Sequence, residues 1–324
     1  MLKKISFKKF FNSKIFFFAF GAATIITIVF IIGVIRIQDS NKNIFDDASN
    51  QLLKITSPEI PQALSFAGEK VPLNDFEVRE RVDRELIVNT YWFSSTILGM
   101  KRANRWFPVI EPILKKYNVP DDFKYLALIE SNLSNSSSYA GAVGFWQLTV
   151  EAAKKYGLEV NDQIDERYNV EKSTEAACKY ILDAYDEFKS WTLAAATYNM
   201  GFNGMRKQID REKTNDYYNL ILSDETMRYV ARILAMKIIY KSPQKYGYFL
   251  KPEDLYPVLK TINIKVDSSV DDWADFAANH GVNYKILKYY NPWLRDISLI
   301  NKKKRIYTLK LPQVPNDGII PSGN

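Results

Sequence analysis

The chain has 324 residues and a formal net charge of +7, and 47% of its residues are apolar. This length allows one medium-sized domain and a smaller one, and the balance of apolar and charged residues excludes a largely disordered chain. Because six positive charges lie near the N-terminus, the remaining chain is only mildly basic, and no nucleic-acid partner is indicated. Those residues are Lys3, Lys4, Lys8, Lys9, Lys14 and Arg36.

Residues 15–35 contain no charged residue and predict a transmembrane anchor. A helix of this length spans about 31 Å, which matches the hydrocarbon core of a bilayer. The lysine-rich tail at 1–14 predicts a cytoplasmic N-terminus, with the rest of the chain crossing the inner membrane into the periplasm. The alternative is a cleaved signal peptide and a secreted protein. No small-residue cleavage site follows Val34, and no cysteine near the segment could carry a lipid, so an uncleaved anchor is favoured.

The chain has one cysteine, Cys178, and one histidine, His280. An intramolecular disulfide is therefore impossible, and Cys178 is predicted to be a small buried residue. His280 lies near the C-terminus, far from the polar residues described below. This position argues against Ser-His-Asp, Cys-His and multi-histidine metal sites, and no cofactor or metal is expected.

The residue pattern predicts a mainly α-helical protein. Residues 36–70, with Pro58 and Pro61, read as a stalk, and no strand is predicted before residue 260. One helix opens at Asp121, and Pro108 and Pro112 bend or start the helix before it. The other helices between residues 71 and 245 are predicted at 77–92, 102–117, 148–156, 170–188, 192–200 and 224–240.

A second, smaller domain is predicted after a linker at 246–259. Strand-like alternation at 260–266 and 305–311 encloses two helical segments at 270–279 and 284–290. This order predicts an α+β unit over 260–312, followed by a tail at 313–324.

Glu130 is the most informative residue of the helical part. At helical spacing, Phe123, Leu126, Ala127 and Glu130 share one face. Burial without a cationic partner would raise the pKa of the Glu130 carboxyl, and a carboxyl that stays protonated at neutral pH suits a general acid. The alternative is a helix-end carboxylate that turns out to water. Periodicity does not choose between the two.

Two polar segments accompany Glu130. The hydroxyl- and amide-rich run at 131–138 would by default be a flexible turn. After it, Gly141 and Gly144 indicate close approach of the backbone, and Gln147 offers an amide. Tyr198 and Asn199 end a second segment, 191–201, whose three alanines permit close helix packing. That segment could equally be an ordinary helix contact.

Four ordered motifs within residues 71–245 resemble the SLT-type lytic transglycosylases. They are Glu130-Ser131, Ser138-x-x-Gly141-Ala142-x-Gly144-Phe145-Trp146-Gln147, Ala196-Thr197-Tyr198-Asn199-x-Gly201 and Tyr229-Val230. The resemblance implies a lysozyme-like helical fold with the acid in a cleft. It also implies a lyase that cleaves the bond between N-acetylmuramic acid and N-acetylglucosamine in peptidoglycan and leaves 1,6-anhydro ends.

The same resemblance implies a role for each matched residue. Glu130 would be the only general acid and base, so no second carboxylate is required. Ser138 would hold the muramyl N-acetyl group, although the spacing leaves Ser137 as a rival. The remaining saccharide contacts would come from Gln147, Tyr198, Asn199 and Tyr229.

Residues 260–312 resemble a LysM domain, a βααβ unit that binds glycans containing N-acetylglucosamine. The supporting residues include Trp273-Ala274, Asn291-Pro292 and Leu311-Pro312. The usual Gly-Asp before the first helix is absent, which makes this copy divergent.

Two other functions remain possible from the sequence. A goose-type-lysozyme-like hydrolase on the same fold would need a second carboxylate to activate water, and Asp162, Asp165 and Glu166 are the candidates. An inactive glycan-binding scaffold would need no acid at all, and a buried acid without a catalytic role would only cost stability.

Overall fold

The computed structural model describes residues 27–34, 36 and 55–313, and the chain divides into two units at residue 57. In the first unit, residues 27–34 are helical and their apolar side chains are exposed. Among the described residues, no helix combines the length and apolarity needed to cross a bilayer. Most of the predicted anchor at 15–35 lies outside the described residues.

The second unit opens with a helical domain. Its α-helices are α1 (Phe76–Tyr91), α2 (Phe93–Lys116), α3 (Lys124–Ser131), α4 (Val150–Lys155), α5 (Val170–Phe188), α6 (Trp191–Met200), α7 (Phe202–Glu212) and α8 (Asp224–Lys241). The predicted helices at 77–92, 148–156, 170–188, 192–200 and 224–240 are confirmed to within two residues at each end. Their side-chain caps explain their starting points, since Asp75, Asn169 and Ser190 each accept a hydrogen bond from the first turn that follows.

Helix α2 differs from its prediction, because it begins at Phe93 rather than Arg102 and continues through both prolines. Gly99 lies inside it for a packing reason. A Cβ atom there would lie 2.3 Å from Tyr240 Oη and 2.4 Å from Asn132 Oδ1, so glycine lets the neighbouring side chains approach. Helix α7 was not predicted at all. Only Met205 of this helix is buried, so its apolar stripe is too narrow to stand out.

The core of the helical domain brings α3, α6 and α8 together. Leu126 and Ala127 of α3 are fully buried, and so are the three consecutive alanines 194–196 of α6. Side chains this small let α6 pack closely, as predicted. Cys178 of α5 is also fully buried, and burial raises the pKa of its thiol to about 12.

A short antiparallel hairpin, β1 (Ser65–Phe66) and β2 (Glu69–Lys70), precedes α1. The prediction of a stalk without strands up to residue 70 is wrong here, because two-residue strands leave no alternation to detect. Phe66 is fully buried, with its ring centroid 5.1 Å from that of Phe123. The Glu69 carboxylate accepts hydrogen bonds from two amides at the start of α6 at 2.6 and 2.8 Å, where it also interacts favourably with the helix dipole.

The predicted strand–helix–helix–strand order of the smaller domain is confirmed. Strands β3 (Thr261–Val266) and β4 (Tyr307–Pro312) pair antiparallel, with α9 (Trp273–Asn279) and α10 (Tyr284–Tyr290) between them. Its core is built on Trp273, Leu287 and Leu309, all fully buried.

The two domains of this unit are joined through the loop at 159–168. Asp165 N donates to Trp293 O at 2.9 Å, and Arg295 N donates to Gln163 O at 2.8 Å. Ile164, although it belongs to the helical domain by sequence, is buried within the core of the smaller domain. The smaller domain is therefore packed against the helical domain rather than tethered to it.

Candidate active site

Helix α3 ends at the candidate acid. A 3-10 turn at Asp121–Phe123 leads into the helix, and Asn132 ends it by adopting a left-handed conformation with φ of 51°. Phe123, Leu126 and Ala127 are buried as the periodicity predicted. Glu130 continues this face and is half-buried at the helix end.

The surroundings of Glu130 favour its protonated form. Burial is the largest cause and raises the pKa of the carboxyl above its ordinary value. A hydrogen bond that the Tyr229 hydroxyl donates to Glu130 Oε1 and the charge of Arg232 lower the pKa, while the charge of Glu225 raises it. Because burial outweighs the opposing contacts, the net direction is upward. Among the described residues no ion pair involves Glu130, as the sequence argument assumed, but the charge of Arg232 acts on it without pairing.

Tyr198 stands beside this acid. Its hydroxyl donates to Trp146 O at 2.6 Å, and Trp146 Nε1 in turn donates to Thr174 Oγ1 at 2.8 Å. Burial, followed by the negative charge of Glu130, raises the pKa of Tyr198 well above its ordinary value. Tyr198 therefore remains a neutral hydrogen-bonding group that connects α6 to the loop after Glu130.

The loop after α3 is held by hydrogen bonds, and its description as a flexible turn does not fit. Gln147 Nε2 donates to Ser136 O at 3.1 Å and to Gly144 O at 2.8 Å. From outside the loop, Arg167 Nη1 donates to Gly141 O at 2.9 Å. Asp165 fixes Arg167 through two contacts, of 2.9 and 2.7 Å.

Gly144 and Gly141 have positive φ angles of 81° and 77°, but their surroundings differ. A Cβ atom on Gly144 would lie 2.1 Å from Arg167 O, whereas one on Gly141 would meet nothing within 4 Å. The predicted close backbone approach is confirmed at Gly144 and wrong at Gly141.

The serine candidates lie at the surface of the same loop. Ser138 is exposed, and its Oγ accepts a hydrogen bond from Ala142 N at 3.1 Å. Ser137 is exposed as well. Both hydroxyls can be reached from solvent, so their positions do not choose between them.

A groove of about 840 Å³ runs beside the loop, and Gln147, Tyr198 and Asn199 are among its lining residues. Asn199 is fixed on both sides, since its Nδ2 donates to Glu225 Oε1 at 3.0 Å and its Oδ1 accepts from Thr226 Oγ1 at 2.7 Å. Tyr229 differs from these residues. It is only 2% exposed and contacts the acid rather than the groove wall.

Three further residues, Arg167, Glu225 and Arg232, act on the site and were missed from the sequence. Glu225, Tyr229 and Arg232 follow one another at helical spacing on α8, so extending the Tyr229 motif along its helix face would have found two of them. Arg167 gave no such signal, because its contacts with the loop depend on the tertiary fold.

Two of the three carboxylates considered for water activation form ion pairs with other residues. Asp165 pairs with Arg167 at 2.7 Å, and Glu166 pairs with Lys172. Both acids are buried, while Asp162 is exposed. The carboxylate whose charge reaches Glu130 is instead Glu225.

Comparison with known proteins agrees with the sequence resemblance. Residues 107–221 match the transglycosylase SLT domain, and residues 262–315 match the soluble lytic transglycosylase C-terminal LysM-like domain. Over 245 residues, or 72% of this chain, the sequence is 29% identical to membrane-bound lytic murein transglycosylase D of Escherichia coli (strain K12). The chain spans about half of that relative's length, at 52%.

Among solved structures, the chain is similar to an inactive mutant of the lytic transglycosylase Slt from Pseudomonas aeruginosa. The match has 19% identity and a TM-score of 0.36, and it covers 57% of this chain and 36% of that one. The two domain matches and the curated relative confirm the predicted resemblance to SLT-type lytic transglycosylases with a LysM-like C-terminal domain.

Proposed function

We propose that this chain, an SLT domain followed by a LysM-like domain, is a peptidoglycan lytic transglycosylase with Glu130 as its single general acid and base. The observation that carries the proposal is the half-buried acid at the end of α3. There the Glu130 carboxyl has a raised pKa and a tyrosine donor on one oxygen. Raised carboxyl pKa values at the end of a buried face suit proton donation at neutral pH.

The proposed reaction uses Glu130 twice. Its carboxyl first donates a proton to the glycosidic oxygen between N-acetylmuramic acid and N-acetylglucosamine, as the bond from C1 to that oxygen breaks and its electron pair stays with the oxygen. The carboxylate then takes the proton of the muramyl 6-hydroxyl, whose oxygen forms the new bond to C1. The acid is regenerated and the 1,6-anhydro product forms without water.

Tyr229 supports both halves of this cycle. Its hydroxyl donates to Glu130 Oε1, and such a hydrogen bond stabilises the carboxylate that remains after proton donation. Burial opposes that charge, so the ionised state is temporary and readily takes a proton back.

Substrate contacts are proposed for the groove wall and the loop. Gln147, Tyr198 and Asn199 line the groove, where they would contact the saccharide. Ser138, whose exposed hydroxyl accepts a hydrogen bond from the backbone of Ala142, would hold the muramyl N-acetyl group, with Ser137 as the alternative. Tyr229 would act from behind the acid, since it is buried.

Hydrolysis is the second candidate, and one observation favours it. Glu225 is an exposed carboxylate at the start of α8 whose charge acts on Glu130, and it is linked to the groove through Asn199. In this alternative Glu225 would activate the water that a single-carboxylate mechanism does not need.

We also propose that the enzyme acts on periplasmic peptidoglycan strands while anchored in the inner membrane through residues 15–35. The name of the E. coli relative, which is membrane-bound, supports this location. The LysM-like domain would bind the glycan as well. The alternative is that residues 15–35 belong to a cleaved signal peptide and the protein is secreted.

The test is to incubate the full chain with purified sacculi and weigh the released muropeptides by mass spectrometry. Anhydro-ended products support transglycosylation, and reducing ends support hydrolysis. Binding without release would support the scaffold function. Glu130→Gln should abolish release and keep binding, and persistent release from that variant would overturn the assignment of the acid. Glu225→Gln should leave anhydro products intact, whereas loss of reducing ends in this variant would favour hydrolysis.

A further inference from the structure

Helix α1 carries a buried carboxylate surrounded by arginines. The side chain of Glu85 is 3% exposed and contacts Arg84, Arg228 and Arg232. Arg228 Nη1 lies 3.2 Å from Glu85 Oε1, and Arg232 Nε lies 3.5 Å from Glu85 Oε2. A buried charge is tolerated only when it is paired, and these arginines supply the partners for the Glu85 carboxylate. The cluster lies outside residues 107–221, which match the SLT domain.

The cluster reaches the candidate acid through α8. Arg232 follows Tyr229 by one helical turn, and Tyr229 donates to Glu130. The described groups that interact electrostatically with Glu130 are Tyr198 of α6 and Glu225, Tyr229 and Arg232 of α8. The charge of Arg232 therefore acts on two carboxylates, Glu85 and Glu130. Within residues 55–313, however, its ion pair is with Glu85, and none joins it to Glu130.

This division matters because the two carboxylates compete for one cation. A guanidinium that pairs with a carboxylate stabilises the ionised form. If Arg232 paired with Glu130, the acid would lose the proton that it has to donate. Arg232 instead acts on Glu130 from a distance, which lowers its pKa without reversing the upward effect of burial.

We propose that Glu85 is a positioning residue for the reaction: it holds Arg232 on the α1 side and keeps it from forming an ion pair with Glu130. This inference rests on the proposed function, in which Glu130 is the acid. Glu85 acts only through Arg232, because the charges that shift the acid are those of Arg232 and Glu225.

The test is the pH dependence of sacculus cleavage by the full-chain variant Glu85→Gln. The amide keeps the shape of the side chain but removes its charge, so Arg232 is released towards Glu130. The high-pH limb of the activity profile should then move to lower pH. Each pH unit of that movement lowers the rate above the limb about tenfold. The matched control is Glu80→Gln, an exposed acid on the same helix, whose profile should remain unchanged.

A second substitution separates positioning from stability. In Arg232→Gln the limb should move to higher pH, because the cation that lowers the pKa of Glu130 is gone. Adding Glu85→Gln to that variant should then produce no further movement. A merely structural role for Glu85 would lower the melting temperature and leave the limb in place. That result would overturn the inference. So would a downward movement of the limb when Glu85→Gln is added to Arg232→Gln that equals the movement caused by Glu85→Gln alone.

Two controls keep the outcome interpretable. If Glu85→Gln fails to fold, Arg232→Gln alone still tests whether the charge of Arg232 acts on Glu130. An unchanged limb in that variant contradicts the inference. Glu130→Gln is measured alongside. If it still cleaves sacculi, the proposed function itself fails. If it is inactive while the limb of Glu85→Gln does not move, only the role of Glu85 is wrong.

Discussion

The two glycines of the loop after α3 give a quantitative prediction about how that loop is held. Gly144→Ala and Gly141→Ala both introduce a Cβ atom at positive φ, at 81° and 77°. This conformation costs an L-residue about 1–2 kcal/mol. Only at Gly144 does the new atom also clash, because it would lie 2.1 Å from Arg167 O. That oxygen belongs to the backbone and cannot move aside as the end of a flexible side chain could. Overpacking of this kind costs about 1–3 kcal/mol more.

The measurement is urea and thermal unfolding of both variants beside the unmodified chain. For domains of this size about 1 kcal/mol corresponds to 2–4 °C in the melting temperature. Gly144→Ala should therefore unfold several degrees below Gly141→Ala. It should also bind sacculi more weakly, because Gln147 is anchored to Gly144 O. Equal destabilisation of the two variants would refute the packing of this loop against Arg167.

Three further predictions concern the surroundings of the site. Tyr229→Phe removes a hydrogen bond that lowers the pKa of Glu130, so the high-pH limb of the activity profile should move to higher pH; a limb that moves down contradicts this reasoning. Asp165→Asn leaves Arg167 buried without its partner, and calorimetry should detect a loss of about 3–5 kcal/mol of stability. Glu69→Gln weakens the cap on α6 and should cost about 1–2 kcal/mol in urea unfolding, whereas the exposed Glu80→Gln should cost almost nothing.

Local patterns predicted much of the fold. Helices α5, α6 and α8 and the βααβ unit were predicted from patterns of residues that lie close together in sequence. The hairpin at residues 65–70 could not be predicted in this way. The hairpin is stabilised by packing of Phe66 against Phe123 and by the hydrogen bond that Glu69 accepts from the start of α6. Both contacts join distant parts of the chain. The start of α2 was misplaced for a similar reason, since Gly99 serves packing rather than a turn.

The sequence likewise predicted only part of the candidate site. The helical face that carries Glu130 is a local property, and the structure has it as predicted. The pairing of Tyr229 with Glu130 and of Glu85 with Arg232 joins residues far apart in sequence, and no periodicity indicates it. The groove also depends on tertiary packing, because Gln147 and Asn199 come together there only after α6 packs beside the loop.

The central claim is that bond cleavage occurs without water, with Glu130 as the only acid and base. The most direct measurement is cleavage of sacculi by the full chain in heavy-oxygen water, followed by mass spectrometry of the muropeptides. The proposed reaction closes the muramyl 6-hydroxyl on C1, so the new ends should be anhydro forms without labelled oxygen. Labelled reducing ends would contradict the claim and favour hydrolysis with Glu225 as the water-activating carboxylate.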